Sequence, residues 1–266
     1  MGDLEKDTTV VAVDGAEGQY TARLSDDWAI WGPNGGYVSS IALRAAGLAS
    51  GRARPASIVT HYLGVAQFDE VELSTTILRQ SRVATSLRVT MEQDGRPILE
   101  ALVWGVDDPT AGSELVHELP TMPEVEGPEG LLSFEEHMAA VDQESPFVFW
   151  NNLEHRPLAW RDDWPPPGPV EPTARWWMRF RPTAVFDHPW VDACRLLIPI
   201  DTMGWPAGSS AHAYREPLGV IAPTIDLSVR FHRAARPDDE WLLADAVAPV
   251  AAGGLLAATG RIWNRR

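Results

Sequence analysis

Residues 28–51, WAIWGPNGGYVSSIALRAAGLASG, decide the fold because they predict its central helix. Apolar residues recur at helical spacing along this stretch, at Tyr37, Ile41, Ala45 and Leu48. This pattern indicates an α-helix over 37–50 with a wide apolar face. Gly51 stands where a left-handed glycine commonly ends a helix. The many alanines and leucines of the stretch predict that the helix is largely buried.

Extended segments follow the predicted helix. They lie at residues 57–63, 70–80, 85–93 and 98–106. The third alternates apolar and polar residues, and the Asp94–Gly95 pair behind it is typical of a tight hairpin turn. One helix followed by a run of antiparallel strands predicts an α+β fold, because a parallel sheet needs helices that alternate with strands.

The C-terminal part of the chain repeats this order. Residues 57–74 read SIVTHYLGVAQFDEVELS and residues 226–243 read DLSVRFHRAARPDDEWLL; each contains a strand, a polar or basic turn, an acidic pair and a further strand. A helix predicted over 188–200 precedes the second copy. The spacing of about 170 residues indicates a duplicated helix-plus-sheet unit. The second copy has no counterpart of the strand at 98–106, which predicts an open sheet edge.

A polar, Pro-rich stretch in the middle of the chain predicts the domain boundaries. We expect an N-terminal unit over 1–112, a Pro-rich linker over 113–172 and a C-terminal unit over 173–266 that lacks its final strand. Within the linker, Ser133 and Glu136 have the spacing of a capping box at the start of a short helix.

Charge and composition exclude several classes of protein. The 266 residues carry a formal net charge of −15, which argues against binding to nucleic acid or to an anionic membrane, because both require a basic surface. The single cysteine, Cys194, cannot form a disulfide within the chain, so we expect a cytoplasmic protein. The acidic N-terminus is unlike a signal peptide, and no apolar run approaches the roughly 20 residues that span a bilayer.

Common catalytic and metal-binding motifs are absent from the sequence. The seven histidines include no HExxH pair and no cysteine cluster accompanies them, so we predict no metal site. The chain also lacks a GxSxG elbow, a P-loop and a GxGxxG motif. A serine hydrolase or a nucleoside-triphosphate enzyme therefore has no support, and we predict that no cofactor is required.

Two stretches resemble a known family. WGPNGGYVSSIALRAA at residues 31–46, and TIDLSVRFHR at 224–233 followed by EWLL at 240–243, resemble the bacterial acyl-CoA thioesterase II family and its thioesterase-like relatives, which are often actinobacterial. The resemblance covers most of both halves and is poorest from about residue 108 to 172. It implies the double hotdog architecture, an α+β fold in which each of two tandem antiparallel sheets wraps a helix.

The resemblance also implies an activity, the hydrolysis of an acyl-CoA thioester to free acid and CoA without a metal or a covalent intermediate. In that family an aspartate, a Ser/Thr hydroxyl and a glutamine hold the attacking water. The aspartate carries over to Asp226, while the hydroxyl position falls on Pro249 and Val250, neither of which can hold a water. The glutamine belongs to the final strand, beyond Arg266. By analogy with the family we further expect a homodimer.

Asp226 is the predicted general base. Its strand is otherwise rich in apolar residues, and desolvation there would raise the pKa of the carboxyl group towards useful values. An arginine on the same side would lower this pKa instead, so the sequence leaves the direction of the shift open. Strand alternation predicts that Thr224, Ser228, Arg230 and His232 share its side. The pattern alone favours a solvent-facing aspartate, and the resemblance reverses that preference. Ser228 or Thr224 is a candidate replacement for the lost hydroxyl, although an ordinary strand position is the favoured interpretation of both.

Other candidates have a structural interpretation beside the functional one. The backbone amides of Gly35 and Gly36 open a helix and are candidates for oxyanion stabilisation, while the alternative is that both glycines only permit close approach of the chain. His61 lies in the strand equivalent to that of Asp226 and is a candidate base or substrate contact, with a structural role favoured. Arg230 and Arg233 are candidate ligands of the CoA phosphates, or else solvated arginines.

The leading prediction is therefore an acyl-CoA thioesterase whose Asp226 activates water. The alternative is an acyl-CoA- or lipid-binding hotdog protein that has lost catalysis, which Pro249, Val250 and the missing strand favour. A hydratase-type hotdog enzyme ranks low because the His/Asp pair expected in its motif is absent.

Overall fold

Two antiparallel sheets organise the chain in the computed structural model. The structure describes residues 1–108, 117, 121–145, 147–161, 168, 170–212, 222–233 and 239–265. The larger sheet contains, in spatial order, β1 (Val11–Ala12), β2 (Gln19–Arg23), β4 (Glu70–Gln80), β5 (Ala84–Gln93), β6 (Arg96–Val106), β3 (Arg54–Tyr62) and β9 (Asp226–Arg230). The smaller sheet contains β11 (Leu255–Asn264), β10 (Leu242–Ala252), β8 (Thr173–Phe180) and β7 (Leu153–Pro157).

Six helices lie in the described ranges. They are α1 (Leu4–Asp7), α2 (Gly35–Ser50), α3 (Phe134–Ala139), α4 (Pro189–Asp192), α5 (Cys194–Thr202) and α6 (Gly204–Ser209). None of these helices combines the length and the apolar character that crossing a bilayer requires. Of the predicted linker over 113–172, residues 113–116, 118–120, 146, 162–167 and 169 lie outside the described residues.

Helix α2 is the predicted central helix. The Asn34 side chain accepts a hydrogen bond from the Tyr37 amide at 2.9 Å and caps its N-terminus, because a helix leaves its first amides without partners. Gly51, at φ 59°, ends it in the left-handed region. Most of the helix is buried against β3, β4, β5 and β6. The prediction of a buried helix here is confirmed.

The four predicted N-terminal strands are also present, as β3 to β6, with small shifts at their ends. The turn between β5 and β6 has Asp94 at φ 52° and Gly95 at φ 71°, the left-handed pair that a two-residue hairpin requires. In the middle of the chain, Ser133 and Glu136 form the predicted capping box at the start of α3. Strand β7 was not predicted from the sequence.

The helix predicted over 188–200 is present as two consecutive helices, α4 and α5, which are separated only at Ala193. Ala193 itself has right-handed helical dihedral angles. Pro199 lies inside α5, which continues to Thr202 although a proline has no amide hydrogen to donate to the preceding turn. Helix α6 follows beyond the predicted range.

The two halves differ in one strand position. In the first half the strands lie in the order β2-β4-β5-β6-β3. In the second half β8 corresponds to β2, β10 to β4, β11 to β5 and β9 to β3. In the described part of the chain no strand lies between β11 and β9, the place that β6 occupies in the first half. Strand β9 pairs with β3 instead, so a strand from the second half completes the sheet of the first. Helix α5 contacts both β9 and β11.

Close packing of α2 on α4 joins the helical layers of the halves. The Trp190 indole Nε1 donates to the Arg52 carbonyl at 2.8 Å. A Cβ added at Gly47 would lie 2.7 Å from Cδ2 of the Trp190 ring, closer than two carbon atoms can approach. Glycine is therefore required at this helical position by the ring across the interface.

We predict that Gly47→Ala destabilises the protein by about 1 to 3 kcal/mol, since the added methyl group overpacks the α2–α4 contact. Helix propensity alone predicts the opposite, a gain of up to about 1 kcal/mol. Urea denaturation measures the free energy of unfolding. Leu48→Ala, at a neighbouring side chain that is 59% exposed, is the control and should change it by less than about 0.5 kcal/mol. A more stable Gly47→Ala protein would contradict the packing described.

His155 is a buried histidine in strand β7 of the smaller sheet. The His155 ring stacks on Phe134 with ring centroids 4.7 Å apart and on Trp176 at 5.3 Å. The side chain is fully buried, and Nε2 has no hydrogen-bond partner in the described residues. Burial lowers the pKa of His155 to about 4, because the imidazolium form would lose its hydration.

This histidine predicts an acid-sensitive stability. Between pH 6.5 and pH 4 the unfolded chain binds a proton at His155 that the folded protein does not, so stability falls as the pH drops through that window. From pH 7 to pH 4 the wild type should lose on the order of 3 kcal/mol more than His155→Phe. Urea unfolding of both proteins at several pH values measures the difference. Parallel pH dependences of the two proteins would show that His155 ionises freely in the folded state.

Candidate active site at the junction of the two halves

The ladder between β3 and β9 places several predicted site residues in one row. Its register sets His61 opposite Asp226, Val59 opposite Ser228 and Ser57 opposite Arg230. Side chains directly opposite on antiparallel strands have Cβ atoms about 5 Å apart. His61 from the first half and Asp226 from the second half are therefore neighbours at the end of the ladder.

This row faces outwards. Asp226, Ser228 and Arg230 are exposed, whereas Val229 between them is buried. The prediction that Ser228 and Arg230 share the side of Asp226 is confirmed, and Arg230 Nη1 lies 3.5 Å from Ser228 Oγ. The predicted desolvation of Asp226 is wrong, because the apolar residues of its strand turn to the opposite face. Arg233 follows the strand and is also exposed.

A second group of polar residues lies where α5 meets the N-terminus of α2. The Gly36 amide donates to Asp201 Oδ2 at 2.8 Å, and Asn34 Nδ2 lies 3.4 Å from the same oxygen and 3.3 Å from Thr202 Oγ1. Asp201, the acceptor, belongs to the second half, and the donors Gly36 and Asn34 belong to the first. A carboxylate at this position is stabilised by the partial positive charge of the helix start. The Gly36 amide predicted to bind an oxyanion is thus bonded to a carboxylate of the protein.

Gly35 lies between Asp201 and Tyr62. A Cβ added at Gly35 would lie 3.2 Å from Asp201 Oδ1 and 3.2 Å from Cζ of Tyr62. At Gly36 it would lie 2.7 Å from the Ile198 backbone Cα, so any larger residue there would push the halves apart. Both glycines therefore permit the close approach that the sequence offered as one of two interpretations.

Three hydroxyl groups form a short series of contacts that begins at Tyr62, beside Gly35. Tyr62 Oη and Ser39 Oγ are 2.6 Å apart, and Ser39 Oγ lies 3.4 Å from Thr60 Oγ1. Burial and then the charge of Asp201 raise the pKa of Tyr62 well above its ordinary value, so its hydroxyl stays protonated. The cluster consists of one carboxylate surrounded by neutral hydrogen-bonding groups.

Burial raises the pKa of Asp201, outweighing the Thr224 side chain, the Gly36 amide and the Asn34 amide, which lower it. Oδ1 of Asp201 is enclosed and has no donor in hydrogen-bonding geometry within the described residues, although Thr224 is near enough to affect the pKa. Thr224 precedes β9 and interacts with Asp201, so the prediction that it shares the side of Asp226 is wrong; alternation holds only within the strand.

Sequence reasoning missed Asp201. It stands directly behind the apolar run Leu196–Ile200, one position past the predicted helix. A carboxylate at the end of an apolar helical stretch was the available signal, but its partner at the start of α2 is 165 residues away and could not be read from spacing.

Pro249 and Val250, where the family resemblance expects a hydroxyl, lie in strand β10. The pairing of β10 with β11 shifts register between Val247 and Val250, so Pro249 lies in a β-bulge, one of the few places in a sheet where proline is tolerated. Pro249 and Val250 are exposed and offer no hydroxyl. Within the described ranges, no three His, Cys, Asp or Glu side chains are grouped as a metal ion would need.

A cavity of about 420 Å³ lies elsewhere, at the turn between β1 and β2, where Glu17 and Tyr20 are among its lining residues. Strands β1 and β9 are at opposite edges of the larger sheet. The cavity is therefore separate from the junction and adds nothing to its chemistry.

Comparisons with known proteins agree with this architecture. The chain is similar to acyl-CoA thioesterase II TesB2 from Mycobacterium marinum, with 19% identity, a TM-score of 0.77 and coverage of 99% of this chain and 92% of that one. A tesB protein from Mycobacterium avium subspecies paratuberculosis gives 22% identity, a TM-score of 0.74 and coverage of 98% and 92%. A hot dog fold protein of unknown function from Alicyclobacillus acidocaldarius gives 19% identity, a TM-score of 0.74, and coverage of 98% of this chain and 92% of that one. These likenesses establish the α+β double hotdog fold predicted from the sequence.

Family models address membership directly. The acyl-CoA thioesterase N-terminal domain matches residues 24–106, and the acyl-CoA thioesterase C-terminal domain matches residues 116–266. A search of curated proteins finds no match. Because the C-terminal model alone spans more than half of the residues, the chain belongs to the acyl-CoA thioesterase family.

Proposed function

We propose that this protein hydrolyses fatty acyl-CoA thioesters to the free acid and CoA. Membership of the acyl-CoA thioesterase family supports the reaction class. The observation that carries the proposal for this chain is the register of the β3–β9 ladder, which sets Asp226 opposite His61 at the junction of the halves. A carboxylate and an imidazole from different halves are thus cross-strand neighbours.

In the proposed mechanism Asp226 is the general base. It takes a proton from a water molecule whose oxygen attacks the thioester carbonyl carbon. The carbon–sulfur bond then breaks, and the sulfur of CoA receives the proton from Asp226. His61 is the cross-strand neighbour of this carboxylate, and Ser228 follows in the same row. Arg230 and Arg233 are the proposed contacts for the phosphates of CoA, because guanidinium groups bind phosphate in two-point geometry.

One observation favours a second candidate, an acyl-CoA-binding protein without turnover. The hydroxyl that the family resemblance places on β10 falls on Pro249 and Val250 of the bulge. A thioester could then bind at the junction without a water molecule held for attack.

Release of free thiol from acyl-CoAs of graded chain length separates the two candidates. We predict turnover by the wild type and a decrease of at least about 100-fold in Asp226→Asn, the effect expected for loss of a general base. Glu72→Gln is the matched control because it removes an exposed carboxylate from β4 of the same sheet, and it should retain wild-type turnover.

Two outcomes would contradict the proposal. Wild-type protein that binds acyl-CoA and releases no thiol is a binding protein. Turnover by Asp226→Asn equal to that of the wild type would remove Asp226 from the mechanism while leaving the reaction in place.

A further inference from the structure

Trp104 is an exposed tryptophan on the outer face of the larger sheet, and the mechanism above does not use it. Its side chain is 38% exposed, whereas Val103 beside it in β6 is fully buried. We infer that this face binds the nucleotide of CoA, with the adenine stacked on Trp104 and the phosphates held by Arg88 and Arg230. The inference rests on the proposed function for the identity of its ligand.

The register of the sheet surrounds Trp104 with short side chains. Trp104 lies opposite Ser57 of β3 on one side and opposite Ser86 of β5 on the other. Neither serine is long enough to cover an indole ring, so the ring presents apolar surface to the solvent. Aromatic rings exposed on an open sheet face form a platform on which nucleobases stack.

The apolar surface continues from Trp104 into the next row of the same face. Leu102, two residues earlier in β6, is 47% exposed and lies opposite Val59 of β3. Alternate residues of a strand are about 7 Å apart on one face, so Trp104 and Leu102 form one patch. An exposed apolar patch bordered by polar groups is typical of a binding surface.

Two exposed arginines border this patch from opposite sides. Arg230 of β9 pairs with Ser57, so it lies in the row of Trp104, two strands or about 10 Å away. Arg88 of β5 pairs with Leu102 and is therefore a diagonal neighbour of Trp104, at about 7 to 8 Å. Long side chains at these positions can reach a ligand that lies on the indole.

The protein itself holds these arginines only weakly. Arg230 contacts only the Ser228 hydroxyl, at 3.5 Å, among the described side chains. Arg88 Nη1 lies 3.9 Å from Glu100 Oε1, and both side chains are about half exposed, so this surface ion pair contributes little. A phosphate group can compete for both arginines, because it accepts two charge-assisted hydrogen bonds from a guanidinium group. Cations beside an exposed indole are complementary to a ligand that combines an aromatic base with phosphates.

The charges along this face give the ligand a direction. The arginines lie in the rows of Trp104 and Leu102, whereas the next row contains Asp226, His61 and Glu100. Phosphates are therefore attracted to the first two rows and repelled from the third. Trp104 and Asp226 are separated by two strands and by four residues along the strands, roughly 16 Å. The pantetheine and pyrophosphate of an extended CoA molecule span this distance, so adenine on Trp104 places the thioester at Asp226.

Adenosine 3′,5′-bisphosphate, which has the base and phosphates of the CoA nucleotide but no pantetheine, tests the inference without turnover. We expect calorimetry to show binding by the wild type and a Kd at least about fivefold higher in Trp104→Ala, the lower limit for the loss of one base–aromatic stack. Arg88→Gln should raise the Kd at least about threefold, because it removes a charge-assisted phosphate contact.

Two control variants remove similar side chains away from this face. Ile77→Ala removes an apolar side chain that is 49% exposed and pairs with the buried Leu87, so it lies on the opposite face of the same sheet. Arg23→Gln removes an exposed arginine that pairs with Asp69 beside β2. Both proteins should bind the bisphosphate within twofold of the wild-type Kd.

Turnover gives a second readout that a structural role of Trp104 would not reproduce. In Trp104→Ala the KM for acyl-CoA should rise at least about fivefold while kcat stays within twofold. The KM for an acyl thioester of N-acetylcysteamine, which has no nucleotide, should stay within twofold. An equal rise of KM for both substrates would show a structural role and would overturn the inference.

The remaining outcomes separate this inference from the proposed function. A wild type that does not bind the bisphosphate, or a Trp104→Ala protein that binds it as well as the wild type, overturns the nucleotide site. A dimeric wild type and a monomeric Trp104→Ala protein with equal bisphosphate binding would make the face an interface between copies, which also overturns it. Binding that depends on Trp104 in a wild type that releases no thiol contradicts the proposed hydrolysis and supports the nucleotide site.

Discussion

Backbone hydrogen bonds between β3 and β9 join a strand of each half into one sheet, and they fix which side chains meet at the junction. The register sets Asp226 opposite His61. A slip by one residue would turn Asp226 to the inner face and bring an apolar neighbour outwards. The side chains of β3 and β9 that pack on the helical layer oppose such a slip, since Ile58 and Val229 are paired and both buried.

A second contact joins the halves at the helix termini. Helix α5 packs on α2, and the Asp201 carboxylate accepts a hydrogen bond from the Gly36 amide at 2.8 Å. Gly36 permits this approach because it has no Cβ.

The sequence predicted what local pattern determines. Helix α2 followed from its apolar spacing, Gly51 from the chemistry of helix ends, and the Asp94–Gly95 turn from the conformation that hairpins require. The duplicated order of elements indicated the double hotdog fold. It could not supply contacts between distant residues, such as the hydrogen bond from the Gly36 amide to Asp201, or the side on which Thr224 lies before the strand begins.

The central claim is that a thioester is bound and attacked at the end of the β3–β9 ladder, where both halves contribute polar groups. A crystal structure of the protein with a non-hydrolysable S-alkyl-CoA thioether tests it most directly. We expect the carbon that replaces the thioester carbonyl to lie within about 3.5 Å of a water molecule hydrogen-bonded to the Asp226 carboxylate, the separation of a reacting pair. A thioether bound away from Asp226, for example in the cavity beside β1, would contradict it.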